Sequence, residues 1–132
     1  MADLAAGGEV IFTSCNDENH PGSNIIDGND RTFWITTGLF PQQFIVQLKE
    51  EGSFSRLKTV TTNVRKLCFE KCTEDQPTAF EQIFEAELDS PQGSRIQQET
   101  HAVSLHTARF VRVTIVSGWD DFASVHRLGI EP

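Results

Sequence analysis

The chain has 132 residues, with 19 acidic against 11 basic side chains and a formal net charge of -8. A core of this size buries roughly two thirds of the extended-chain surface without disulfide help, so the length predicts one domain over 1–132. The negative field repels phosphate backbones and anionic lipid alike, which argues against nucleic acid as a partner. No segment is long and apolar enough to span a membrane, so no membrane insertion is expected. Residues 1–8 lack the positive and apolar regions of a secretory signal, and Ala2 in place of glycine excludes N-myristoylation. Three cysteines in such a chain fit reduced thiols in a cytosolic setting, and the expectation is a soluble intracellular protein.

In chain order, residues 1–8 read as a small, flexible lead into a first strand, Glu9 to Thr13. Ser14 to Ser23 is a loop by its Asn, Asp, Pro and Gly content. Asn24-Ile-Ile-Asp-Gly-Asn-Asp-Arg-Thr-Phe-Trp34 follows, the most distinctive run in the chain. Ile35 to Pro41 reads as a second loop, and Gln43 to Leu48 alternates with Phe44, Val46 and Leu48 on one face. Lys49 to Ser53 reads as a turn. Arg56 to Thr73 is rich in β-formers and divides near Asn63. Phe80 to Leu88 fits either a helical stripe or alternation, and its neighbours favour a strand. Arg95 to Leu105 reads as a polar edge strand, and Ala108 to Ser117 as the clearest strand, with Val111, Val113 and Ile115 inward. A loop at Gly118 to Asp121 precedes a last strand, Ala123 to Glu131. About eight short strands with turn signals between them and no convincing helix predict an all-β chain, an antiparallel β-sandwich of the jelly-roll kind.

The run from Asn24 to Trp34 carries the candidate chemistry. Asp27-Gly28 is a turn pair, because glycine tolerates positive φ and an aspartate carboxylate can accept from the backbone two residues on. Around it stand the side-chain oxygens of Asn24, Asp27, Asn29, Asp30 and Thr32, a set that suits calcium. An EF-hand counted from Asp27 fails, since its sixth position holds Thr32 and its twelfth Gly38. The competing reading is a surface turn rich in Asx residues whose oxygens bond only water and backbone. A Cys3His zinc set from Cys15, His20, Cys68 and Cys72 is disfavoured: on a strand, residues 68 and 72 lie about 13 Å apart. Cys15 with His20, or Ser104 with His106, gives no supported nucleophile, and no carboxylate pair flags a cleft, so no enzyme is expected. Trp34 is expected in the core beneath the loop. Phe110, Arg112 and Thr114, outward on the strongest strand, and Trp119 at a loop tip are the candidate partner-binding residues; the competing readings are that Phe110 covers a neighbouring strand and that the Trp119 turn only leads into the last strand.

The motif Asn24 to Trp34, with Thr36-Thr-Gly-Leu-Phe-Pro-Gln42 and Ala108-Arg-Phe-Val-Arg-Val113, resembles the discoidin, or coagulation-factor C-terminal, branch of the galactose-binding-domain-like jelly rolls. With His20-Pro21 and Phe122-Ala-Ser-Val-His126 added, the chain is similar to the small, heat-shock-like jelly-roll subunits of intraflagellar transport complex B. The resemblance covers nearly the whole chain. It implies a structural calcium site at Asn24, Asp27 and Thr32, with Glu131 of the last strand completing it. It also implies a heterodimer with a Rab-like small GTPase subunit, other complex B subunits as further partners, and a location in cilium or flagellum and in the cytoplasm around the basal body. The alternative employment of this fold is a calcium-stabilised carbohydrate-binding module, for which the loops offer His20, Arg31, Phe40 and Trp119. Chaperone activity ranks last, because the oligomerising arms of small heat-shock proteins are missing.

Overall fold

The computed structural model describes residues 3–15, 17–36, 39–89 and 96–132. Among them are seven strands: β1 (Glu9–Thr13), β2 (Trp34–Ile35), β3 (Gln42–Thr62), β4 (Val64–Cys72), β5 (Glu81–Glu87), β6 (Gln97–Gly118) and β7 (Ser124–Glu131). Every pairing is antiparallel, in the order β2-β7-β3-β6-β4-β5 with β1 added on β3. One 3₁₀ turn, Gly22–Ile26, interrupts the long first connection.

Two expectations about strand number change. The Lys49 to Ser53 turn does not reverse the chain; it is a bend within one strand of 21 residues, where the β3–β6 register slips between Gln47 and Gly52. The segment expected from Arg95 to Leu105, of which Arg95 lies outside the described residues, and the one expected from Ala108 to Ser117 likewise meet in one strand, β6, from Gln97 to Gly118. Polar residues mark both a turn and a bend whose outer side meets water, so composition cannot separate them. The bends fold the ribbon into a sandwich. Before its bend β3 lies between β1 and the second half of β6; after it, β3 lies between β7 and the first half of β6. Both bends therefore sit at one end of the molecule. The start of β3, the β3–β4 turn at Asn63 and the β6–β7 connection gather at the other, here called the loop end.

The inward alternation holds. Phe44, Val46 and Leu48 meet Val111, Val113 and Ile115 within the layers, and Leu67, Phe69, Leu128 and Ile130 complete the core. Trp34 is fully buried, its ring edge-on to Phe44 at 5.5 Å and its indole N–H donating to the Cys15 carbonyl at 3.0 Å. A buried indole needs that partner, since an unsatisfied N–H would cost about 1–3 kcal/mol. The predicted division at Asn63 is present as a left-handed residue, φ 58°, between β3 and β4.

Residues 3–8 are not the loose lead expected from composition. The Asp3 carboxylate accepts from the N–H groups of Ala5 and Ile130, both at 2.9 Å, Leu4 N–H donates to the Ile130 carbonyl at 2.7 Å, and Ala5 is fully buried. The first residues thus close the bend end beside the last strand, although β1 itself pairs with β3 and not with β7.

Candidate calcium loop and partner surfaces

The loop after the 3₁₀ turn is organised as the Asp27-Gly28 pair predicts. Gly28 has φ 76°, and Asp27 Oδ1 accepts from the Asn29 N–H at 2.9 Å. The Asn29 side chain repeats the device by accepting from the Arg31 N–H at 3.0 Å. Thr32 then turns back. Its hydroxyl lies 2.5 Å from Asp27 Oδ2 and 2.9 Å from the Asn29 carbonyl, and its single proton serves one of them at a time. Asn24 closes the base by donating from Nδ2 to the Phe33 carbonyl at 3.0 Å, which leaves its oxygen as the end able to bind a cation.

Two residues of β7 that the sequence reading did not nominate hold this loop to the sandwich. Arg127 donates to the Gly28 carbonyl at 2.6 Å and pairs with Asp30 at 3.1 Å. His126 donates from Nδ1 to the Asp30 carbonyl at 2.6 Å, so its Nε2, when the ring is neutral, accepts from the Ser124 hydroxyl at 3.2 Å. Phe33 lies between two imidazoles, stacked on His20 at 4.3 Å and tilted on His126 at 5.0 Å. The one sequence signal for these tethers is that His126 and Arg127 interrupt an otherwise apolar strand.

Glu131 is not part of this site. It stands at the far end of β7 opposite Arg56, and it pairs with Arg56 at 3.7 Å and Lys58 at 3.3 Å. Four residue steps along the strand separate it from Arg127, about 13 Å at the usual rise. Asn24, Asp27 and Thr32 do share one loop, and Asp27 and Thr32 turn their oxygens on each other. The structure brings Asp27 and Thr32 into contact, with Asn24 at the base of the same loop; the neighbouring carboxylate is Asp30, engaged by Arg127, and not Glu131.

The predicted partner residues divide as well. Phe110 is 4% exposed and does not face solvent: with Ile45 and Cys72 it forms a second apolar cluster on the outer side of the sheet, beneath Phe80. Arg112 makes a two-pronged pair with Glu70, both bonds 2.8 Å, and its guanidinium lies 4.2 Å from the centre of the Phe80 ring. That pairing holds the guanidinium pKa above its usual value. Thr114 reaches the Gln43 side chain at 3.4 Å. These residues form an outer cover of the sheet, so Phe110 and Arg112 are corrected from partner contacts to structural ones. Phe80, brought over by the β4–β5 connection, is the reason.

Trp119 is different. It remains 43% exposed, yet its backbone N–H donates to the Asn63 carbonyl at 2.8 Å and its indole N–H to the Leu88 carbonyl at 3.0 Å, with Arg65 over the ring at 5.0 Å. Gly118 before it is required by close packing: a Cβ there would meet the Phe40 ring at 2.7 Å and the Asn63 carbonyl at 2.9 Å. Of the four residues considered for sugar binding, Phe40 packs on Gly118, the chain neighbour of Trp119, while His20 is stacked on Phe33. Cys15, Cys68 and Cys72 are free thiols, and among the described residues no group of His, Cys, Asp and Glu has the arrangement of a metal site.

The F5/8 type C domain model matches residues 9–128. The chain is 41% identical over 131 residues to the mouse intraflagellar transport protein 25 homolog, covering 99% of this chain and 91% of that one. It belongs to the intraflagellar transport protein 25 family, within the F5/8 type C domains. The Chlamydomonas reinhardtii intraflagellar transport protein 25 is 43% identical over 124 residues, 94% of this chain, which spans 65% of that relative's length. A family of intraflagellar transport proteins has its place in the cilium or flagellum. Among solved structures, chitosan-binding module 1 from a Paenibacillus sp. IK-5 chitosanase/glucanase superposes with a TM-score of 0.84 at 18% identity, covering 100% of both chains. The family 32 module of Clostridium perfringens NanJ, solved with galactose, superposes with a TM-score of 0.83 at 18% identity, covering 98% of this chain and 96% of that one. Likeness at that identity establishes the β-sandwich and nothing about ligands.

Proposed function

We propose that this chain is a non-catalytic subunit of intraflagellar transport complex B that forms a heterodimer with a Rab-like small GTPase, with calcium bound at the Asn24 to Thr32 loop in a structural role. The observation that carries the reading is identity above 40% over nearly the full chain to intraflagellar transport protein 25 of an alga and a mammal. The fold supports it. Long hydrogen-bonded strands filled by apolar side chains make a rigid scaffold, and the half-exposed aromatic tip gives that scaffold something to present. Passage through the cytoplasm near the basal body, and contacts with further complex B subunits, belong to the same reading.

Calcium would be held by Asp27 with Thr32 and the Asn24 oxygen, and its chemistry there is to neutralise the carboxylate and lock the loop. The chain's own part is already visible: Gly28 sets the turn, and His126 and Arg127 fasten it to β7. A ligand that binds only the folded state raises the melting temperature, so Asp27→Ala should lower that temperature in calcium and abolish the difference between calcium and chelator. A full calcium response in Asp27→Ala would remove Asp27 from the site.

The subunit reading is tested by size-exclusion chromatography after co-expression with the Rab-like transport GTPase, run in calcium and in chelator. One-to-one co-elution in both buffers supports a scaffold with a structural ion. Co-elution in calcium alone makes the ion part of assembly, and failure to co-elute in either overturns the heterodimer.

A further inference from the structure

We infer that the loop end of the sandwich, where Leu39, Trp119 and Phe122 surround Asp120 and Asp121, is the surface that docks the partner, and that the partner meets it with an apolar side chain flanked by lysine or arginine. This rests on the heterodimer reading above and assigns that contact to one end of the fold.

Three observations converge. The first is apolar exposure: of the eight exposed large hydrophobes among the described residues, Leu39 at 90%, Phe122 at 45% and Trp119 at 43% belong to the loop end. They come from two connections that are fastened together, since Thr36 N–H donates to the Ala123 carbonyl, Ala123 N–H donates to Thr36 Oγ1, both at 2.9 Å, and Phe40 packs on Gly118. Scattered exposed hydrophobes need no explanation, whereas three on connections joined at one end of the sandwich do. On the sheet face, by contrast, the outward aromatic Phe110 is already covered.

The second is that Trp119 is immobilised without being buried. The indole N–H bond to the Leu88 carbonyl and the Arg65 guanidinium over the ring hold the ring in its orientation, the backbone bond to Asn63 holds its Cα, and nearly half its surface is left to water. A large ring whose rotamer is already set loses little entropy when a partner covers it, and tryptophan is the residue most enriched among interface positions that dominate affinity.

The third is charge. Asp120 and Asp121 are exposed between the aromatic residues, Asp89 is exposed beside Leu88, and the chain as a whole carries -8. Arg65 lies over the Trp119 ring at 5.0 Å. An acidic collar around an apolar centre favours a basic collar around an apolar plug, and repels an anionic membrane.

The test is a calorimetric titration of the purified chain with the Rab-like GTPase at low and at high salt, comparing wild type with Leu39→Ser/Phe122→Ser, with Asp120→Lys/Asp121→Lys, and with Leu105→Ser, an exposed residue at the bend end. Trp119 is left intact because its substitution also strips the Leu88 carbonyl of its donor. The expected result is at least a tenfold loss of affinity for both tip variants with unchanged melting temperatures, wild-type affinity for Leu105→Ser, and a salt dependence that disappears in the aspartate double variant. Wild-type affinity in both tip variants overturns the surface and leaves the heterodimer standing. Absence of binding by the wild type overturns both. Flotation of the chain with phosphatidylserine vesicles, lost in Leu39→Ser/Phe122→Ser, would show a lipid-docking tip and likewise overturn the proposal.

Discussion

Phe110 and Trp119 are both aromatic residues that the sequence offers as partner contacts, and the structure gives them opposite circumstances. Phe110 lies on the outward side of a central strand and is buried under Phe80, whereas Trp119 lies in a loop and stays half exposed with its ring held in place. The difference teaches that alternation along a strand tells which side of the sheet a residue occupies but not whether that side is covered. Cover comes from another part of the chain, here the connection between β4 and β5.

The comparison is open to direct attack. Phe110→Ala should have the largest effect on stability, about 3 kcal/mol from lost burial and the cavity left among Ile45, Cys72 and Phe80, read as a shift of the urea midpoint, with partner affinity unchanged. A stability change near zero would return Phe110 to the surface. Arg112→Met should cost about 2 kcal/mol, because it leaves the Glu70 carboxylate partly buried without its two-pronged partner. Restoring balance with Glu70→Gln in the same chain should recover part of that loss, which a chevron or equilibrium cycle would measure.

A smaller effect is expected from pH. His101 is 9% exposed, with Phe69 and Phe84 at 5.6 and 5.5 Å, and its buried Nε2 has no hydrogen-bond partner. Burial lowers its pKa, with Glu99 opposing. The unfolded chain therefore takes up a proton more readily than the folded one, so this contribution to stability is complete above the unfolded imidazole pKa of about 6.5 and is lost as pH falls through it towards the lower folded value. His101→Leu should flatten that part of the stability profile. An unchanged slope in the variant would assign the acid sensitivity to other groups. The smallest effect belongs to the tip: Leu39→Ser and Phe122→Ser should each move stability by no more than about 0.5 kcal/mol, since neither fills the core.

The calcium loop shows the same division between what is local and what is not. The Asx turn at Asp27-Gly28, the return of Thr32 and the burial of Trp34 were all legible, because each depends on residues a few positions apart or on a large ring beside a turn. Glu131 falls outside the site that the resemblance implies because of the direction in which β7 runs. The last strand does begin at the loop, but it runs away from it, so its ligand-like carboxylate finishes at the bend end and pairs with Lys58. His126 and Arg127, at the strand's beginning, were passed over because nothing in their spacing says that a loop almost a hundred residues earlier returns to them.

By itself the sequence determined the class of fold, the inward faces of the first half of β3 and the second half of β6, the turn chemistry of the loop and the family to which the chain belongs. These follow from period-two burial, from glycine and aspartate conformational preferences, and from a motif long enough to be specific. Only the tertiary structure decided that two pairs of predicted strands are each one bent strand, that Phe80 covers Phe110, and that Trp119 is fixed at a rim shared with Leu39 and Phe122. Those outcomes depend on which distant segments meet, and a chain's local pattern encodes the surfaces to be buried without naming the residues that will bury them.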